Sequence, residues 1–122
     1  GGIGKALLAG NKKAAQELTQ KLSTWFDKRF YLELSRHGMA EEIQCERTFI
    51  EFAYQFNIPL VATNDAYFVE EEMYEAHDAF LCIADGTYVT EADRRRLTPE
   101  HRLKTVEEMQ ELFSDIPEAL QN

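Results

Sequence analysis

Apolar positions recur at helical spacing from residue 7 to residue 28, at Leu8, Ala15, Leu18, Leu22, Trp25 and Phe26. Gly10-Asn11 interrupts that run, with Asn11 placed to cap a main helix after a short first one. Residues 29–34 alternate and are rich in aromatic and branched side chains, which predicts a strand. Gly38 marks a turn, and residues 40–57 predict a second helix with Ile43, Ile50, Ala53 and Tyr54 on one stripe. Phe49, Phe52 and Phe56 widen that stripe, so this helix is expected to pack on more than one side. Asn57-Ile58-Pro59 ends it, and Leu60-Val61-Ala62-Thr63 reads as a short buried strand of the parallel kind.

A third helix is predicted over residues 70–84, with Met73, His77, Phe80, Leu81 and Ala84 on its inner face and Gly86 as its stop. Residues 87–104 read as loop, with short helical turns after Thr90 and at Thr98-Pro99. Thr105-Val106-Glu107-Glu108 is a capping box that opens a last helix, running to about Ser114 with Met109, Leu112 and Phe113 as its apolar face. Strands separated by amphipathic helices place the chain in the α/β class with parallel pairing. Two strands make a poor sheet by themselves, so further strands are expected from chain outside these residues or from a second copy. The opening Gly1-Gly2-Ile3-Gly4 and the closing Leu120-Gln121-Asn122 suggest an excised piece of a longer protein.

The chain has 122 residues, 44% hydrophobic and 29% charged, enough for a packed core. No apolar run is long enough to span a membrane. Thirteen Lys and Arg against 22 Asp and Glu give a net charge of −9, a poor basis for gripping phosphates. The acids are concentrated: residues 48–93 contain no Lys or Arg and ten acids, and Arg94-Arg95-Arg96 follows at once. That stretch is either a solvated face with a local counter-charge or a docking surface for a basic partner. Cys45 and Cys82 sit in apolar helical contexts and read as small buried hydrophobes of a reducing compartment.

Asp65 lies just past the predicted strand at 60–63, where α/β proteins place functional groups. It suits a metal ligand or general base, or equally a turn and helix cap within Asn64-Asp65. Glu33 lies within the first strand, either buried and paired or facing solvent. His37 stands at that strand's exit. His77 falls on an apolar helix face, where a hydrogen-bonded core role outweighs a ligand role, and His101 falls in a polar loop where it is expected to be inert. No zinc-ligand spacing, phosphate-binding glycine loop or activated thiol is present.

Phe30-Tyr31-Leu32-Glu33-Leu34 with Arg36-His37-Gly38 resembles a segment of the C-family replicative DNA polymerases of bacteria, the polymerase III alpha subunits. So do Leu60-Val61-Ala62-Thr63-Asn64-Asp65, Glu75-Ala76-His77-Asp78 with Leu81-Cys82-Ile83 and Gly86, and Asp115-Ile116-Pro117-Glu118-Ala119-Leu120. The resemblance covers essentially the whole chain. It implies that residues 1–86 are the second half of an N-terminal PHP domain, a distorted β/α barrel, and that residues 87–122 are the exit segment toward the polymerase region. It also implies that Asp65 is the Asp of an Asp-x-His metal motif whose His position is occupied by Tyr67. A phenol titrates near 10 and is a poor metal ligand at neutral pH, so a vestigial metal site is expected.

The resemblance further implies a structural and protein-docking platform, with the rest of the alpha chain and a proofreading exonuclease subunit as partners. Magnesium would serve the polymerase centre elsewhere in the chain, and zinc or manganese would bind here only if the PHP site were intact. DNA would be bound by the parent chain and not appreciably by this piece, in the cytoplasm and away from any membrane. The competing expectations are a working metal-dependent phosphoesterase or proofreading exonuclease domain using Asp65, and a free-standing acidic interaction module.

Overall fold

A computed structural model describes residues Gly1–Asn122. Helix α1 spans Gly2–Leu8 and α2 spans Lys12–Trp25, with the Asn11 side chain accepting a hydrogen bond from the Ala14 N–H at 3.0 Å. The expected break at Gly10-Asn11 is therefore complete, and Gly10 takes the positive φ that such a reversal needs. The inner stripe of α2 is Ala15 and Thr19, flanked by the partly buried Leu18 and Leu22. Trp25 and Phe26, expected on that stripe, lie exposed where the helix runs out; the Lys21 ammonium lies 4.6 Å from the Trp25 ring centre.

Strand β1, Leu32–Ser35, and strand β2, Leu60–Thr63, form a two-stranded parallel sheet in which Leu32 pairs with Leu60 and Ser35 with Thr63. The first strand starts three residues later than its pattern suggested, because Lys28 turns the chain with a left-handed φ and Arg29 closes that turn onto Phe26. The parallel crossover is α3, Ala40–Phe56, which ends at Asn57 in the left-handed conformation. Its buried side is Cys45, Phe52 and Ala53, with Phe49 and Phe56 beside them. Ile43 and Tyr54, expected on the inner stripe, point to solvent. The helix packs against β1 and also against α1 and α2, in keeping with the width of its stripe, while Ile43 and Tyr54 stay outside these contacts.

After β2 the chain makes a 3-10 turn at Glu71–Met73 and continues as α4, Tyr74–Asp85, capped by Gly86 at φ 66. The inner face predicted for this helix is only partly the buried one: His77 and Leu81 are half-buried, whereas Ala84 is exposed. Asp78 and Cys82 are buried, while Met73 and Phe80 are exposed. Helix α5, Val106–Leu112, opens on the predicted capping box: the Thr105 side chain accepts from the Glu108 N–H, and the Glu108 carboxylate accepts from the Thr105 N–H at 2.8 Å. A final 3-10 turn, Pro117–Leu120, lies against β2.

One apolar cluster joins both ends of the chain. It contains Ile3 and Ala15 from the first helices, Leu32, Leu34 and Leu60 from the sheet, Phe52 and Ala53 from α3, and Phe113, Ile116 and Ala119 from the tail. Phe113, fully buried, sits where α5 stops, so the tail closes the core.

Candidate functional site

The carboxyl ends of the two strands gather three loops, residues 36–39, 64–68 and 97–104. Gly38 adopts φ 78, which lets the chain reverse directly after His37. His37 is 2% exposed, and its Nδ1 lies 2.7 Å from Glu42 Oε1 in the first turn of α3. The same carboxylate accepts from the backbone N–H groups of His37 at 2.7 Å and Met39 at 3.3 Å. The opposite ring nitrogen, Nε2, accepts from the backbone N–H of Asp65 at 3.1 Å. These bonds place a proton on Nδ1 and engage both nitrogens.

His101 is the residue that sequence reasoning misplaced. It is 5% exposed, and its ring stacks on His37 with centroids 4.1 Å apart and planes 11° from parallel. Its Nδ1 accepts from the Thr98 N–H at 3.1 Å, and the Thr98 hydroxyl donates to the His37 carbonyl at 2.5 Å. Burial, aided by the neighbouring His37 ring, pushes the His101 imidazole below its ordinary titration range. The signal that could have located it is Thr98-Pro99, the helical turn that folds His101 back onto its own first residue.

The supposed loop is pinned by backbone bonds. Tyr67 N–H donates to the His101 carbonyl and Leu103 N–H to the Phe68 carbonyl, both at 2.9 Å, and Phe68 and Arg102 form a parallel bridge. Asn64 adds a side-chain bond to the Arg102 carbonyl, and its own carbonyl oxygen accepts from Lys104. Residues 64–68 and 101–104 thus close the strand exits as a second small layer.

Asp65 itself is exposed, and Tyr67 is half exposed with its ring near His77 and His101. Glu33 takes the solvent-facing alternative, accepting from the Thr63 hydroxyl at 2.6 Å. His77 lies against Phe68 and Tyr67, and its buried Nδ1 has no hydrogen-bond partner, contrary to the satisfied core role expected of it. Burial raises the Cys45 thiol above its usual range, which disfavours a thiolate there. No three His, Cys, Asp or Glu side chains stand together in a group able to hold a metal ion. These donors do not fit a divalent metal by themselves: His37 has neither nitrogen free, and Asp65 has a phenol for its neighbour.

Beside this face lies Arg36, which sequence reasoning noted only as part of a motif. Its guanidinium grips Glu46 through Nε and Nη2, Asp115 through Nη1 and Nη2, and the Leu112 carbonyl at 2.7 Å, and it lies 4.7 Å from the Phe113 ring centre. That clamp ties the exit of β1 to the C-terminal tail. Asp115 is held below its ordinary range by Arg36.

No family model matches the chain. Comparison with curated proteins is decisive. The chain is 48% identical over 118 residues to DNA polymerase III subunit alpha of Caulobacter vibrioides, covering 96% of this chain. It is homologous to one segment of the bacterial DNA polymerase III alpha subunit. The alpha subunits of Rickettsia bellii and Vibrio cholerae match it at 41% over 122 residues and 42% over 124 residues, each covering the whole chain. The chain spans about one tenth of the length of these alpha subunits.

Proposed function

We propose that this chain is a segment of the catalytic alpha subunit of bacterial replicative DNA polymerase III, acting in DNA replication as a structural and protein-docking part of its PHP domain. Residues 1–86 are the second half of that domain and residues 87–122 its exit segment. Template-directed nucleotidyl transfer belongs to the parent chain, whose magnesium-dependent polymerase centre lies outside these residues, in the cytoplasm. The match along the entire chain to alpha subunits of several bacteria carries the reading.

The metal site is degenerate. Supporting this are Tyr67 at the expected histidine position, the exposure of Asp65, and the engagement of both His37 nitrogens in internal hydrogen bonds. The strand exits are organised as a rigid junction, with His37, Thr98 and His101 locking three loops together. A rigid junction serves docking of the rest of the alpha chain and of a proofreading exonuclease subunit. Net charge of −9 supports a role in which DNA is held elsewhere in the parent.

Reading the native gene outward from both ends tests the assignment. A frame roughly ten times longer, following from a coverage of about one tenth, supports it. A frame that closes at Asn122 contradicts it. Co-purification of the full-length chain with the proofreading exonuclease tests the docking role, and a complex that survives loss of residues 1–122 contradicts that role.

A further inference from the structure

Helix α4 is built inside out. Its inward side carries Asp78, held by Arg94 through two 2.6 Å hydrogen bonds. Its outward side carries Phe80 and Ile83, 68% and 75% exposed, and Met73, 47% exposed, ends the 3-10 turn that runs into it. Offsets of seven and three residues place these three on one helical stripe, with Ala76 and Ala84 alongside. The segment past Gly86 exposes Tyr88 and Val89 as well. Single exposed apolar residues are ordinary, whereas a stripe of them opposite a buried ion pair marks a face that another surface covers.

Charge narrows the occupant. Glu75 on α4 and Glu72 in the turn before it flank the stripe, both exposed and outside any ion pair, whereas Asp85 at the far end of the helix is held by Arg95 at 2.9 Å. Two copies meeting through this face would set acids against acids, which disfavours a homodimer. An apolar groove rimmed by Lys and Arg complements it. The homologous alpha subunits are about ten times the length of this segment, so most of the surface of such a chain lies outside these residues.

We propose that the outer stripe of α4 docks into an apolar, base-rimmed groove on the part of the same polymerase chain that lies outside these 122 residues. This rests on the alpha-subunit reading.

The test uses the purified full-length chain carrying Ile83→Cys, with Lys13→Cys on exposed α2 as reference. Maleimide labelling of each peptide is followed by mass spectrometry, so the buried Cys45 and Cys82 do not interfere. Labelling at position 83 is expected to be about tenfold or more slower than at position 13, independent of protein concentration and of added subunits. Glu75→Lys, reversing one rim charge, is expected to speed labelling at position 83. Photo-crosslinking from position 80 is expected to recover a Lys- or Arg-bearing peptide of the same chain. Equal labelling rates at the two positions overturn the proposal. So does protection that disappears on dilution, which indicates a second copy, and protection that requires an added subunit. A gene that ends at Asn122 overturns the alpha-subunit reading and the docking together, whereas a long gene with fast labelling at position 83 overturns the docking alone.

Discussion

Arg36 and Arg94 each grip a carboxylate with two hydrogen bonds, yet they close different kinds of structure. Arg36 lies over Phe113 at the edge of the apolar core, and its partners come from α3 and from the tail seventy-nine residues away. Arg94 reaches a helix whose apolar side faces out, and its Asp78 partner occupies the place a core residue would fill. The first clamp fastens a lobe that hydrophobic burial already holds. The second substitutes for such burial. Much of the attraction in a buried ion pair is spent on its own desolvation, so the α4 lobe should be the less stable of the two.

Breaking the core side should produce the largest effect. Phe113→Ala empties a fully buried site and is expected to cost about 3–5 kcal/mol, seen as a lower urea midpoint for the whole segment within the full-length chain. A loss well below 1 kcal/mol, judged against the same scale, would mean that the tail does not close the core.

Breaking the polar side should act locally. Asp78→Asn leaves the Arg94 guanidinium without its charged partner. Amide hydrogen exchange of α4 and residues 87–96 is expected to accelerate, while β1, β2 and α3 keep their protection. Equal acceleration in both regions would dissolve the distinction between the lobes.

Acid should loosen both clamps and the last helix together. Arg36 depresses Asp115, Arg94 depresses Asp78, and Arg102 holds Glu108 down to about 2. A carboxylate whose folded pKa lies below its unfolded value stabilises the fold above the unfolded pKa and loses that contribution as pH falls through the folded one. Stability is therefore expected to drop from just above the ordinary carboxylate range, near 4, down to about 2. His101 shifts the onset upward: its folded form resists protonation, so stability also declines as pH falls below 6.5. His101→Phe should remove that early decline and keep the acid limb, as read by melting temperature against pH.

The smallest expected effect is at the cap. Thr105→Ala removes the acceptor for the Glu108 N–H and should cost about 1 kcal/mol, as fraying of α5 in hydrogen exchange.

The elements governed by local rules were legible in the sequence. Asn11, Gly86 and the Thr105 box mark helix ends through their own side chains or backbone, and the parallel crossover follows from strand, helix, strand. The α4 face was not legible. Hydrophobic periodicity assumes that apolar residues turn inward, and that assumption fails at α4, where the Asp78–Arg94 ion pair takes the inward place. His101 was unreadable for a related reason. The Thr98-Pro99 turn that orders it was in view, but the long-range part was not: the loop carrying it is pinned to residues 67–68 through an isolated bridge with no strand pattern of its own, and its stacking partner is His37. Asp65 and Tyr67 were located correctly at a strand exit, while the neighbours that fill the exit came from residues read as loop.

The central claim is that the strand exits form a rigid junction with a degenerate metal site. Its most direct test is a zinc and manganese titration of the full-length chain by calorimetry, beside an Asp65→Ala variant. The account predicts no stoichiometric uptake that depends on Asp65. Tight, one-to-one binding lost in the Asp65→Ala chain would contradict it and restore a working metal centre at this face.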